Sequence, residues 1–138
     1  MTQKQFYKTR AWWYFSRYVL LYYSIDGKVQ CCTSGRWYEL NDKNIQCGHY
    51  KKSDQHRAVA LEFKNVGPQC YQDNKYFSGK PEVMSKWIEK THGKGTLEWL
   101  DIKKNNKCEL NKLTLDLFKE EYKKKFNDLV KIKGNPWK

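Results

Sequence analysis

The sequence predicts an α+β fold in a single domain. Three observations carry this. Apolar residues recur at helical spacing near both ends and in the middle of the chain; residues 28 to 50 read as short strands separated by turns; and 138 residues suffice for one modest core but not two.

The first element runs from about Lys4 to Tyr23. Trp12, Phe15, Val19 and Tyr22 fall at i, i+3, i+7 and i+10, which is one helical face. Trp13, Tyr14, Tyr18 and Tyr23 widen the apolar surface, so this helix is expected to be buried or docked. Asp26-Gly27 ends it with a turn. Lys28 to Cys31 reads as a strand and Gly35 as a tight turn. Arg36 to Leu40 and Ile45 to Tyr50 are expected to pair as a hairpin across Asn41 to Asn44. Residues 51 to 68 are polar and irregular and close at Gly67-Pro68.

A short helix is expected from near Asp73 to Ser78-Gly79. Pro81 suits the first position of the next helix and Gly93 the position past its end. Val83, Met84, Trp87 and Ile88 form its apolar face. A further turn of helix, Leu97 to Ile102, leads to a lysine-rich break at residues 103 to 107. The last helix is expected from about Leu115 to Ile132, with Thr114 as its N-cap. Leu115, Phe118, Tyr122, Phe126 and Leu129 share one face, with Lys119, Lys123, Lys124 and Lys125 nearby. This helix is either a basic DNA-binding element or an amphipathic helix with a solvated face. The expected subdivisions are a core over 28–79, a helical extension over 80–102 and the C-terminal basic helix over 108–138.

Lys plus Arg number 27 and Asp plus Glu 15, so the formal net charge is 27 − 15 = +12. So large an excess of one sign costs self-repulsion in the folded state and attracts polyanions, of which nucleic acid is the commonest in a cytosol. The 6 Trp and 10 Tyr are distributed among the basic residues. Rings in such a setting stack on exposed bases, although most are expected to serve the core. The longest apolar run, Ala11 to Ile25, is too short to span a membrane and contains Ser16, Arg17 and Ser24. With no secretory signal, a soluble protein of the host bacterial cytosol is expected. In that reducing compartment the five cysteines read as metal ligands, buried thiols or remnants of a metal site rather than a disulfide framework.

Three stretches belong together: Cys31-Cys32-Thr33-Ser34-Gly35, Cys47-Gly48-His49-Tyr50, and residues 65 to 74, Asn-Val-Gly-Pro-Gln-Cys-Tyr-Gln-Asp-Asn. Their order resembles the HNH, or His-metal finger, nucleases. These place a histidine at a strand end, an Asn or His in the following loop and a third polar residue on a short helix. The sequence is similar, more specifically, to the phage NinG (lambda Rap-like) family of recombination proteins. Phe15-Ser16-Arg17-Tyr18-Val19 resembles the family's FSxYI helix, Cys31 to Gly35 its CxxCG knuckle, and Gly48-His49-Tyr50 its GHY. Phe63 to Cys70 resembles RF-x-N-x-x-QC, Asn74 stands where the family has CxxCN, and Phe77-Ser78-Gly79-Lys80 resembles LSGN. Trp87 to Gly93 and Leu97-Glu98-Trp99-Leu100 resemble its tail, so the likeness covers roughly residues 12 to 100.

The resemblance implies a small ββα-metal finger set among helices. It implies a metal-dependent, structure-specific endonuclease that cuts branched DNA such as Holliday junctions, flaps and displacement loops. His49 would be the general base and Asn65 would orient it. Asn74 would help hold Mg2+ or Mn2+, with His49 and His56 as further metal-side candidates and Asp54 beside them in the loop. Lys51, Lys52, Arg57, Lys75 and Lys80 are the expected DNA contacts. By analogy with a related H-N-N nuclease, endonuclease VII, a homodimer is expected.

The sequence also departs from the family pattern. The two CxxC pairs of the structural zinc knuckle read here as Cys31 with Ser34 and Cys70 with Asp73. Zinc prefers four good ligands, and serine is a poor one. The remnant would bind zinc with help from a neighbour such as Cys32, bind another ion, or be metal-free with its turns held by packing; the last is the expectation. The residue before His49, a metal ligand in many HNH nucleases, is Gly48. His92, near a helix end, is assigned no chemistry. Two other functions compete: a catalytically silent DNA-binding protein that retains the fold, and a small adaptor or inhibitor with a basic surface.

Overall fold

Two threonines divide the N-terminal segment into two helices where one was expected. In the computed structural model, which describes residues 1–138, α1 spans Gln3–Tyr7 and α2 spans Arg10–Tyr23. Thr2 and Gln5 form a reciprocal capping box, and the Thr9 hydroxyl accepts the Trp12 N–H. Each hydroxyl satisfies an amide that a helix start leaves orphaned, so the break costs little. α2 buries Ala11, Trp12, Phe15, Ser16, Val19, Leu20 and Leu21. Tyr22, expected on the buried face, is instead 49% exposed.

The strands pair differently from the expected hairpin. β1 (Lys28–Gln30) pairs antiparallel with β2 (Trp37–Glu39), and β3 (Ile45–His49) pairs antiparallel with β4 (Val66–Cys70). Residues 36–40 and 45–50 are therefore not partners. Gly35, at φ +77°, and the Cys31 N–H bond to the Arg36 carbonyl fold β2 back on β1. Asp42 then turns the chain away: its carboxylate accepts the Asn44 N–H and its carbonyl the Ile45 N–H. The first three residues of β4 fall in the stretch expected to be irregular. Its five residues, Val-Gly-Pro-Gln-Cys, are all buried, so no alternation marks them as a strand. Pro68 lacks an N–H, and its carbonyl accepts the Cys32 N–H outside the ladder.

β4 runs directly into α3 (Tyr71–Tyr76), which begins two residues earlier than expected. α4 (Pro81–His92) has Pro81 in its first turn and Gly93 at its C-cap, as the sequence implies. Met84 and Ile88 are buried, whereas Val83 is exposed. α5 spans Thr96–Lys103 and α6 spans Lys112–Lys133. The N-cap of α6 is Asn111 rather than Thr114; the Asn111 side chain accepts the Thr114 N–H.

The architecture is α+β. α2 is its spine, packing against β3 and β4 and along α6. One core joins Phe6, Trp12, Phe15, Val19, Cys47, Val66 and Tyr122, and a second joins Leu20, Leu21, Val29, Cys31, Ile45, Cys70 and Phe126. Tyr122 and Phe126 place α6 in both, so this helix serves its own core with a charged outer face. On that face Lys124 pairs with Asp128 and Lys125 with Glu121. Val59, Met84, Ile88 and Leu100 form a third cluster beneath α4 and α5. No helix is long and apolar enough to cross a membrane.

Candidate functional site

β3, β4 and α3 form a strand–strand–helix unit, and the long β3–β4 connection carries residues 50 to 65. His49 ends β3, Asn65 lies just before β4, and Asn74 lies on α3. Side chains alternate across a strand, so His49 and Cys47 face α2 while Gln46 and Gly48 face the other way.

The His49 ring is buried, 5% exposed, and lies against Trp12 with centroids 5.1 Å apart. Its Nε2 is 2.9 Å from the Ala60 carbonyl oxygen. A carbonyl only accepts, so Nε2 carries the proton and Nδ1 keeps the basic lone pair. Burial pushes the pKa down to about 4; the Ala60 bond and Asp54 oppose this, and Lys52 adds to it. The imidazole is therefore neutral at physiological pH.

Asn65 is fully buried and does not touch the ring. Its Oδ1 accepts the Lys51 N–H, and its Nδ2 donates to the Lys51 and Val59 carbonyls. It thus ties the start of the connection, two residues after His49, to the turn whose next residue, Ala60, receives the His49 proton. Asn65 therefore reaches His49 only through backbone, not by the direct contact an orienting side chain would make.

Asn74 sits apart from His49. Its Nδ2 donates to Gln46 Oε1 at 3.0 Å, and its Oδ1 takes no hydrogen bond. Nor does His56 join His49: it precedes a short 3-10 turn over Arg57–Val59, and its ring makes no hydrogen bond.

Gln69 emerges as a site residue that sequence reasoning missed. It is fully buried in β4, and its Nε2 donates to the Gly79 carbonyl and to Thr33 Oγ1. Its Oε1 is buried without a partner and occupies the space a side chain at Gly48 would need. A buried oxygen left unpaired is costly and invites a ligand. The available signal was its place before Cys70 in the Phe63–Cys70 stretch, just past the segment expected to be irregular.

Three of the four residues read as a knuckle remnant lie together, without the Ser34 hydroxyl. Ligand atoms of Cys31, Cys70 and Asp73 lie within 4.8 Å of one another. Burial alone would raise the Cys31 pKa, but hydrogen bonds from Ser34, Thr33 and the Cys70 N–H outweigh it and bring it down to about 7. Asp73 accepts from Thr33 Oγ1 at 2.7 Å and pairs with Lys80 at 3.2 Å; these partners overcome its burial and lower its pKa. Ser34 contributes its backbone N–H to Cys31, while its hydroxyl accepts the Arg36 N–H. Cys32 packs with the third core cluster and is not part of this group.

The expected DNA contacts differ in availability. Lys51 is paired with Asp101 at 2.8 Å. Arg57 donates to Gln3 Oε1 and the Met1 carbonyl. Lys80 is held by Asp73, Lys75 is exposed beside the Tyr71 hydroxyl, and Lys52 is half-buried against Gly79. His92 lies 3.4 Å from the Tyr23 hydroxyl and packs on Phe63 and Trp87.

No protein-family model matches the chain, and neither a curated protein nor a solved structure matches it.

Proposed function

We propose that this protein is a metal-dependent endonuclease of the HNH type acting on branched DNA. The observation that carries this reading is His49: a neutral imidazole at a strand end, with its tautomer fixed by Ala60 and the surrounding turn tied by Asn65. That arrangement leaves Nδ1 as the atom that takes the proton of an attacking water. The +12 charge draws the DNA in, with Lys52 and Lys75 beside the strand–strand–helix unit. The resemblance to the phage recombination family supplies the substrate class.

The α3 side of this unit does not by itself fit a magnesium-class ion, and it is the face turned away from His49. Gln69 Oε1 is a hard oxygen without a partner, and Asn74 Oδ1 is another. Both are neutral, Gln69 Oε1 is fully enclosed, and the Lys52 ammonium stands on its Gly79 side, so an ion would have to be held chiefly by phosphate oxygens of the DNA. When bound, such an ion neutralises charge on the scissile phosphate and the leaving oxygen.

A second reading is a DNA-binding protein with the same fold and no catalysis. Three observations favour it: the His49 ring is enclosed under Trp12, Gly48 offers no ligand, and the Lys52 ammonium already brings positive charge to the Gly79 side of Gln69. The deciding experiment offers four-way junction, flap and plain duplex DNA with magnesium or manganese to wild type, His49→Ala and His49→Gln. Cutting of branched DNA by wild type alone, with binding retained in the variants, supports the nuclease. Binding without cutting under either metal leaves the silent binder.

A further inference from the structure

A cleft of about 480 Å3 opens between α2, the start of β3 and the C-terminal segment around Trp137. Its volume lies within the range of about 300–1,000 Å3 usual for small-ligand sites. None of the residues in its walls was singled out by the sequence as a ligand contact except Asn74, which forms one end. We propose that this cleft receives a single unpaired nucleobase, with its phosphate, extruded from the DNA.

Three features of the walls suit that ligand. First, Trp137 and Tyr7 line the cleft, and both are partly accessible, so an aromatic face is available for stacking. Second, Gln46 lies in the wall. Its Oε1 takes the Asn74 N–H, which leaves its Nε2 as a free donor toward the ring acceptors and carbonyls of a base. Third, Arg17 lines the cleft with a buried Nε that has no hydrogen-bond partner. Its guanidinium is held 4.8 Å from the Trp13 ring and 5.9 Å from the Trp137 ring, a fixed cation waiting for an acceptor. Lys43 adds a second positive charge to the walls against one carboxylate, Asp42. A phosphate beside a stacked ring would be met by the guanidinium charge of Arg17, whose Nε itself is enclosed.

The position of the cleft gives it a role. Asn74 borders it, and Trp12 and Tyr7, which also line it, pack on the far side against the His49 ring. A base lodged there would hold a strand against the unit described above. DNA with an unpaired base would be favoured over plain duplex, because extrusion costs least where pairing is already broken. This inference rests on the chain being a DNA-binding protein, whether or not it cuts.

The test uses the full chain and a duplex with a single-nucleotide bulge carrying either adenine or an abasic residue, alongside plain duplex. Stacking of one base is worth about 1–3 kcal/mol, so the adenine bulge should bind on the order of tenfold tighter than the abasic one. Arg17→Gln and Gln46→Leu, with circular dichroism confirming their fold, should lose that preference while keeping wild-type affinity for plain duplex. Equal binding of the two bulges by wild type, or a preference retained in both variants, overturns the proposal. Displacement of the bulged DNA by millimolar AMP, with no base preference in DNA, would assign the cleft to free nucleotides and also overturn it. Failure to bind any of the three DNAs would instead remove the DNA reading itself.

Discussion

Asn65 Nδ2 donates to the Val59 carbonyl one residue before Ala60, whose carbonyl receives the proton of His49 Nε2. His49, at the end of β3, and Asn65, just before β4, are thus coupled through two consecutive peptide carbonyls. The geometry of the imidazole depends on a side chain it never meets.

Asn65→Ala should destabilise the fold by about 2–3 kcal/mol, because it leaves buried backbone groups at Lys51 and Val59 unpaired. The His49 ring should lose its single tautomer in the same variant. Chemical denaturation reads the first effect and imidazole 15N shifts read the second. An intact single tautomer in a destabilised variant would show that Ala60 is held without Asn65.

Stability should fall as the pH drops from about 6.5 to about 4. In this window the unfolded His49 binds a proton that the buried native ring refuses, so the unfolded state gains. The loss attributable to this residue is on the order of 3 kcal/mol at its limit. A urea series from pH 7 to pH 4 on wild type and His49→Gln measures it. Parallel pH profiles for the two proteins would place the titration elsewhere.

Gly67→Ala should cost about 1–3 kcal/mol. A methyl there would stand 2.6 Å and 2.8 Å from ring carbons of Trp87 and 3.3 Å from Cys32 Sγ. An indole ring in a packed wall has little room to yield. An unchanged melting midpoint would mean that α4 shifts freely on β4.

Removal of zinc by a chelator should leave the melting midpoint unchanged. Cys31 is stabilised by backbone and hydroxyl donors, and Lys80 supplies the cation that faces Asp73. Lys80→Met should lower the midpoint in acidic and neutral buffer alike while Asp73 is ionised. A large drop with chelator in the wild type would show instead that an ion holds these turns together.

α4 was readable in the sequence because its signals are local. Pro81 sets a helical φ without needing a donor, and Gly93 leaves the helix at φ +105°. α6 was readable from its apolar stripe. The pairing of β3 with β4 was not, because the information lies in the environment on both sides of the ribbon. Gly67, ordinarily punctuation, is required there by the Trp87 ring, and Pro68 is tolerated because only its carbonyl is used, by the Cys32 N–H. The order His49, Asn65, Asn74 was visible in the sequence, but the sequence could not tell which face of a strand each would take. Nor could it show that Gln69 would fold over Gly48, since the missing Cβ that admits it lies 21 positions earlier.

Lys133, in the last turn of α6, donates to the carbonyls of Leu21, Tyr22 and Ser24 at the end of α2, across 112 positions of chain for the first of these. α2 leaves the ribosome well before α6, which covers it. Its aromatic flank therefore stays uncovered until α6 has been made. The core thus depends on a contact between segments far apart in sequence, which is slow to form, and removal of α6 should be more damaging than its exposed surface suggests.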